Sequence, residues 1–169
     1  MTPEVHVREA VSGDIDGLLP LLKELFSIET DFCFNEDLQR RGLTMMLEPS
    51  ENRCMMIASA GNRIIGMASI QTLISTAVGG RSGIVEDVVV TSEWRGKGIG
   101  RCLLEAIETW AHTKGLKRMQ LLADATNTPA LEFYQNRGWK TTQLICLRKT
   151  EIHQHRKGLY DHWQRSDLY

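Results

Sequence analysis

Apolar residues in the middle of the chain follow two different spacings in succession. Residues 84–90 carry a run of β-branched side chains, which is typical of a strand buried on both faces. From residue 99 onward the apolar residues fall at helical spacing and define one stripe (Ile99, Cys102, Leu103, Ala106, Ile107 and Trp110). The pattern therefore predicts a buried strand, a loop and a helix, and Gly115 stands where such a helix would end.

Shorter apolar runs on either side predict the rest of an α/β domain. Strands are predicted at residues 5–8, 54–60, 63–74 and 119–122, with a last strand or strand pair at 139–148, and helices at 14–28, 37–47 and after Thr128. Gly61 and Asn62 form a two-residue turn typical of a hairpin. Hairpins combined with a crossover helix indicate a mixed sheet with helices on both faces.

Two of these helices carry more specific predictions. Asp14 is the predicted N-cap of the first helix. In the second helix, Leu38, Met45 and Met46 are predicted to belong to the core, with a ligand pocket as the alternative.

Length, charge and cysteine spacing exclude several classes of protein. The 169 residues predict one domain at residues 1–150 and a tail at 151–169, and the net charge of −1 gives no electrostatic case for binding nucleic acid or a membrane. The four cysteines form no Cys-x-x-Cys pair, which favours free thiols in a reducing compartment. Because no signal peptide and no apolar run of transmembrane length is seen, a cytoplasmic protein is predicted.

The tail combines histidines with aromatic residues. His153, His155 and His162 have no Cys or carboxylate at ligand spacing, so no metal site is predicted. Three aromatic residues (Tyr160, Trp163 and Tyr169) predict that the tail docks on the body of the protein or on a partner subunit, and a homodimer is therefore an expectation.

Glycines and cations alternate between the central strand and its helix (Arg95, Gly96, Lys97, Gly98, Ile99, Gly100 and Arg101). A glycine loop at a helix N-terminus exposes backbone N–H groups and predicts an anion site, usually for phosphate. A Walker loop does not fit, because Lys97 is not followed by Ser or Thr. A dinucleotide fingerprint does not fit either, because Arg101 stands at its third glycine. A glycine-rich turn with solvated charges is the structural alternative.

This loop resembles the acetyl-CoA loop of the GNAT N-acetyltransferases, whose pattern is Arg or Gln, two residues, Gly, one residue, and Gly or Ala. Arg95, Gly98 and Gly100 match that pattern. A second stretch is similar to another signature of the family, an Asn, a short helix with Phe-Tyr and a Gly-aromatic exit (Asn127, Ala130, Phe133, Tyr134, Gly138 and Trp139). The resemblance covers about residues 4–149.

The resemblance implies the GNAT fold, an α/β (α+β) arrangement with a mixed, mostly antiparallel sheet of six to seven strands and helices on both faces. In that family, the strands that correspond to residues 84–90 and 119–122 splay apart and leave a slot for the pantetheine arm. It also implies acetyl-CoA as co-substrate, no metal, and a set of cofactor-binding residues (Val88, Val89, Val90, Arg95, Gly96, Lys97, Gly98, Ile99, Gly100, Arg101, Asn127 and Tyr134).

Acetyl transfer to an amine requires a base, because amines with a pKa of about 10.4 are protonated at neutral pH. Glu86 and Asp87 are the candidates, and strand alternation predicts that they point to opposite faces. Glu86 is the predicted base, since acidic residues at this point in several GNAT enzymes lie near the amine; an ion pair within the sheet is the alternative. Tyr134 is predicted to protonate the leaving thiolate, with packing beside Phe133 as its alternative, and Asn127 to bind pantetheine, with helix capping as its alternative.

These features predict an N-acetyltransferase that transfers the acetyl group of acetyl-CoA to a primary amine, with a small molecule as the leading acceptor. Transfer to a protein lysine or N-terminus is the second interpretation, and a non-catalytic acyl-CoA-binding regulator is the third. In GNAT enzymes the first helical region borders the acceptor pocket. Here that region is acidic, which predicts a cationic acceptor, with solvated helix surface as the alternative for most of these charges (Glu24, Glu29, Asp31, Glu36, Asp37, Glu48 and Glu51 against Arg40 and Arg41).

Overall fold

The computed structural model describes residues 4–29 and 31–150. The strands are β1 (Val5–Glu9), β2 (Arg53–Ala60), β3 (Arg63–Ser75), β4 (Gly80–Val90) and β5 (Arg118–Leu121). The helices are α1 (Ile15–Ile28), α2 (Glu36–Leu47), α3 (Ile99–Thr113) and α4 (Thr128–Gln135). The chain divides into two compact units, one up to Glu132 and one from Phe133 onward, and all five strands belong to the first unit. The predictions for the tail lie outside the described residues.

The strands form one sheet in the order β1-β2-β3-β4-β5. The first three pairs are antiparallel, whereas β4 and β5, which α3 connects, are parallel. The predicted mixed sheet is therefore confirmed. The expected mostly antiparallel sheet of six to seven strands overstates what is found, since the described residues form a mixed sheet of five.

The missing strands were predicted at residues 139–148, where no strand is assigned. Leu144, Ile145 and Leu147 are more than 80% exposed there, at 88%, 81% and 87%. The local alternation of residue types is compatible with a strand, but a strand also needs a partner for its backbone N–H and C=O groups. No other described segment pairs with residues 139–148, so the prediction is wrong for the part of the chain that the structure describes.

Helices cover both faces of the sheet, as predicted. Met67 of β3 is fully buried in a cluster with Leu18 and Leu22 of α1, while a Cβ at the neighbouring Gly66 would lie 3.1 Å from Leu103 of α3. Successive residues on a strand point to opposite faces, so α1 and α3 lie on opposite sides of β3. Full burial of each such apolar side chain stabilises the fold by about 1.5–3 kcal/mol.

Turn and cap residues explain several of the element boundaries. Gly61 (φ 58°) makes the hairpin turn between β2 and β3, and Gly115 (φ 70°) follows the end of α3. Both glycines adopt left-handed backbone angles, which other residues disfavour. Asp14 is the N-cap residue of α1, but its carboxylate binds Arg8 and the N–H of Val11 instead of capping the helix.

The second helix is less buried than its apolar residues predicted. Leu43 is buried and Met46 packs partly against the core, whereas Leu38 and Met45 are 52% and 65% exposed. The prediction of core positions is therefore wrong for Leu38 and Met45. Residue type alone did not identify which side of α2 meets the sheet.

Gly66 lies where a side chain would be tightly packed. A Cβ there would lie 3.0 Å from the carbonyl oxygen of Val89 and 3.1 Å from Leu103 Cδ1. We therefore expect Gly66→Ala to lower the free energy of unfolding by roughly 1–3 kcal/mol, because a buried site is overpacked. Urea denaturation measures this change.

Gly42→Ala is the matched control, since Gly42 lies in α2 and a Cβ at that position would have nothing within 4 Å. Alanine should stabilise that helix by about 0.5–1 kcal/mol. Equal stability of Gly66→Ala and the parent protein would contradict the close approach of β3, β4 and α3.

Candidate active site

A β-bulge interrupts β4 at the two candidate carboxylates. Ser69 pairs with Glu86 and Met67 pairs with Val89, so Ala68 alone lies opposite two residues of β4. Asp87 has a φ of 53°, a left-handed angle that Asp adopts more readily than most residues.

The bulge changes which side chains share a face of the sheet. Because Ser69 and Met67 are two residues apart, their partners Glu86 and Val89 lie on the same face. Val89 belongs to the core cluster beneath α1 and α2. Glu86 therefore lies on the α1 face of the sheet, and simple alternation along β4 does not hold across the bulge.

The two carboxylates have different surroundings. Glu86 is exposed, and Gln71 Nε2 donates to its carboxylate at 3.2 Å. Its backbone carbonyl accepts from Ser69 Oγ at 3.1 Å, which helps to satisfy the interrupted ladder. Asp87 is half-buried, and burial, together with the negative charges of Glu86 and Glu29, raises the pKa of its carboxyl to about 6. A carboxylate with this pKa is a stronger base than an ordinary one.

The acidic residues of the first helical region make different contacts. Glu36 pairs with Arg40 on α2, and Glu48 pairs with Arg53. These two are surface ion pairs, as the structural alternative predicted. Glu29, at the end of α1, instead acts electrostatically on Asp87.

The pairing between β4 and β5 ends before the bulge. Its last pair is Val85 with Leu121, although β4 continues to Val90. Residues 86–90 therefore have β3 on one side and no strand on the other among the described residues. We call this stretch the free edge of β4, and it lies where the resemblance predicted the slot.

The glycine loop follows β4 and opens onto the N-terminus of α3. Gly96 (φ 72°) and Gly98 (φ 82°) both adopt left-handed angles, and nothing lies within 4 Å of a Cβ built on either. No side chain of the described residues caps α3, whose first backbone bond runs from Cys102 N to Gly98 O. The N–H groups of Ile99, Gly100 and Arg101 therefore lack helical acceptors and form an open cradle for an anion.

The three loop cations each have a contact within the protein. Arg95 donates to Glu24 at 2.6 Å and to the carbonyl of Val90 at 2.9 Å. Lys97 Nζ lies 4.8 Å from the centre of the Trp94 ring. Arg101 pairs with Glu105 one turn further along α3 at 2.8 Å. The cradle therefore depends on backbone groups more than the cation-rich sequence suggested.

Asn127 and Tyr134 each have the structural contacts that were considered as alternatives. Asn127 Oδ1 accepts from the N–H of Ala130 at 3.2 Å and so caps α4. In the second compact unit, Tyr134 makes edge-to-face contacts with Phe133 and Trp139, with ring centres 5.2 Å and 6.0 Å apart. These contacts assign a capping role to Asn127 and a packing role to Tyr134, and both are compatible with a further role at a bound ligand.

Several other features bear on what the site can hold. In residues 4–29 and 31–150, no three His, Cys, Asp or Glu side chains are grouped so as to bind a metal ion. Within the same ranges, no helix is long and apolar enough to cross a membrane. The four cysteines (Cys33, Cys54, Cys102 and Cys146) are free thiols.

Sequence reasoning missed two partners of the predicted site residues. Glu24 binds Arg95 from 71 positions away, and Gln71 binds Glu86 from 15 positions away. No local pattern indicates such pairs. Gly83 and Gly66 were the available hints that other groups approach the backbone closely around β4.

Comparisons with known proteins indicate a family for this chain. The family described as the Acetyltransferase (GNAT) family matches residues 19–139. The aminoglycoside N(6')-acetyltransferase type 1 of Stenotrophomonas maltophilia is 24% identical over 106 residues, which cover 61% of this chain and 69% of the relative. The aminoalkylphosphonate N-acetyltransferase of Salmonella typhimurium is 25% identical over 139 residues, which cover 82% and 86%.

A solved structure shows the same fold. The crystal structure of a transcriptional regulator from Bacillus halodurans C-125 superimposes with a TM-score of 0.77 at 24% identity, covering 87% of this chain and 100% of the other. At this identity the likeness concerns the fold alone.

The raised pKa of Asp87 predicts a pH-dependent effect on stability. The folded pKa of about 6 exceeds the ordinary 3.8, so ionised Asp87 destabilises the folded state above about pH 6, and this destabilisation disappears as the pH falls towards 4. Asp87→Asn should therefore raise the free energy of unfolding near neutral pH, by at most about 3 kcal/mol, and not near pH 4. Asn also accepts the left-handed angle. Urea denaturation at both pH values checks this.

Asp124→Asn is a control with the opposite sign, because hydrogen bonds from the N–H and hydroxyl of Thr126 lower the pKa of Asp124. Its replacement should destabilise the protein near neutral pH and have less effect as the pH falls below the ordinary pKa. A stability gain in Asp87→Asn that is the same at both pH values would contradict the electrostatic explanation.

Proposed function

Because the chain belongs to the GNAT acetyltransferase family, we propose that it transfers the acetyl group of acetyl-CoA to a primary amine of a cationic small molecule. The observation that carries the proposal is a single continuous element. The carboxylates at the β4 bulge, the free edge of residues 86–90 and the open glycine cradle follow one another along the chain. This arrangement supports the proposal because it would put a base, a thioester site and a phosphate site next to one another.

The proposed cofactor site has two parts, the free edge of β4 and the cradle. The N–H groups of Gly98, Ile99, Gly100 and Arg101 would bind the pyrophosphate, since a helix N-terminus favours negative charge. Gly96 and Gly98 fit this role because no side chain fills the space beside them. Lys97 and Arg101 add positive charge near the cradle, while Arg95 shapes the loop.

The strand edge would serve the other end of the cofactor. Backbone groups of Val88, Val89 and Val90 would bind the pantetheine arm and polarise the acetyl carbonyl, in the manner of an oxyanion hole. When bound, acetyl-CoA supplies an acetyl group activated as a thioester. Asn127 would bind the same arm through its carboxamide nitrogen, because its oxygen already caps α4.

The acid–base chemistry is assigned to the carboxylates and to Tyr134. Glu86 and Asp87 together form the basic centre that accepts a proton from the ammonium of the acceptor. Asp87 supports this role because its pKa is about 6. Its carboxylate is therefore largely ionised at neutral pH but binds a proton more readily than an ordinary carboxylate. Tyr134 is proposed to return a proton to the thiolate, a modest contribution because a thiol with a pKa of about 8.5 leaves readily.

The charge around the bulge indicates the class of acceptor. Glu29, Glu86 and Asp87 place three carboxylates in electrostatic contact. Such a cluster attracts amines with several positive charges and disfavours an acceptor that also carries a phosphonate. Of the two curated relatives, whose names give an aminoglycoside and an aminoalkylphosphonate as acceptors, the aminoglycoside is therefore the better guide.

An acceptor screen tests the proposal. Release of CoA thiol from acetyl-CoA should be measured with aminoglycosides, polyamines, aminoalkylphosphonates, neutral amino acids and lysine peptides, and acetylated products identified by mass spectrometry. Polycationic amines should give the highest kcat/KM. Activity confined to lysine peptides would show a protein acetyltransferase instead, and acetyl-CoA binding without transfer to any acceptor would favour a non-catalytic regulator.

Glu86→Gln gives a prediction for the pH–rate profile. The charge of Glu86 helps to raise the pKa of Asp87, so its removal should move the acidic limb of kcat/KM from about pH 6 to lower pH. The loss of activity should be largest near neutral pH and smallest at high pH, where the amine loses its proton unaided. Glu108→Gln on α3 is the control and should keep the parent profile. An unaltered profile in Glu86→Gln would exclude Glu86 from the basic centre.

A further inference from the structure

The carboxylate of Glu24 on α1 binds the segment that follows β4. Glu24 Oε1 accepts a hydrogen bond from the backbone N–H of Ser92 at 2.9 Å and one from the Arg95 guanidinium at 2.6 Å. Arg95 also donates through Nε to the carbonyl of Val90 at 2.9 Å. The two side chains therefore bridge α1 to both ends of residues 90–95, and we call them the Glu24–Arg95 clamp.

A second ion pair in the same turn differs from the clamp in its exposure and in its hydrogen bonds. Arg63 and Glu93 also approach within 2.7 Å, but both side chains are about 60% exposed (59% and 63%), and among the described residues each hydrogen-bonds only to the other. Glu24 is only 28% exposed and accepts two bonds on one oxygen, one of them from backbone. Exposed pairs contribute little, whereas a charge-assisted bond to backbone fixes the geometry of the chain.

The clamp lies between the two parts of the proposed cofactor site. Val90 ends the strand whose free edge is proposed to bind the pantetheine arm, and Gly96 opens the cradle proposed to bind the pyrophosphate. One ligand must contact both parts at once. The angle between strand and cradle is therefore set by residues 90–95, which the clamp fixes on α1.

The same helix also reaches the acceptor side of the site. Glu29 follows the last residue of α1 and acts electrostatically on Asp87, while Glu24 holds the cofactor loop. On this basis, and resting on the proposed function, we infer that Glu24 is a positioning residue that pre-organises the cofactor loop for CoA. Arg95 acts through this clamp and not as a phosphate ligand.

Calorimetric titration with CoA tests the inference. Glu24→Gln keeps an oxygen that can accept from Ser92 but loses the ion pair, and Glu24→Ala loses both contacts. We expect the Kd for CoA to rise about tenfold in Glu24→Ala, which corresponds to about 1.4 kcal/mol, and less in Glu24→Gln. Glu93→Gln breaks the neighbouring exposed pair and should keep the parent Kd.

A double-mutant cycle and a pH profile separate positioning from a general loss of stability. If the pair acts as a unit, Glu24→Gln with Arg95→Gln should bind CoA no more weakly than Arg95→Gln alone. The KM for acetyl-CoA should rise in Glu24→Gln while the acidic limb set by Asp87 stays near pH 6. If the two substitutions had strictly additive effects on the binding free energy for CoA, the inference that the clamp acts as a unit would be overturned.

The outcomes distinguish this inference from the proposed function. A parent protein that does not bind CoA would overturn both. A parent protein that binds CoA, together with folded Glu24→Gln and Glu24→Ala variants of unchanged Kd, would overturn the inference and leave the proposed function standing. An equal loss of affinity in the Glu93→Gln control would also overturn the inference, because any charge in the turn would then have the same effect.

Discussion

The interruption of the hydrogen-bond ladder between β3 and β4 at Asp87 is the constraint on which the proposed site depends. An uninterrupted ladder would direct alternate residues to alternate faces and leave no strained residue among them. The bulge instead puts Glu86 and Val89 on one face and holds Asp87 at a left-handed angle. The parallel pairing with β5 stops one residue before Glu86, so the bulge also adjoins the free edge of the strand.

Two of the three cations of the glycine loop form ion pairs within the protein, and the third lies over an aromatic ring. Arg95 is bound by Glu24, Arg101 by Glu105, and Lys97 lies over Trp94. The open cradle is instead made of backbone N–H groups, whose direction is fixed by the fold and whose positive character does not depend on a flexible side chain.

Features specified by neighbouring residues could be predicted from the sequence, and features specified by distant ones could not. The valine-rich strand, glycine loop and helix were predicted correctly, as was the Gly61 hairpin, because each is determined by a few consecutive residues. The prediction of a strand at residues 139–148 was wrong because strand formation requires a partner. The prediction of core positions for Leu38 and Met45 was wrong because burial depends on tertiary packing. The Glu24–Arg95 contact and the bulge required the structure, since each joins segments far apart in the chain.

In the proposed mode of binding, CoA contacts the free edge of β4 and the cradle that follows it. Hydrogen–deuterium exchange of backbone amides, measured with and without saturating CoA, tests this claim directly. Bound CoA should slow exchange in residues 88–90 and 96–101, with little change in the hairpin of β2 and β3. Binding of CoA that leaves the exchange of both stretches unchanged, or protection confined to another part of the chain, would contradict it.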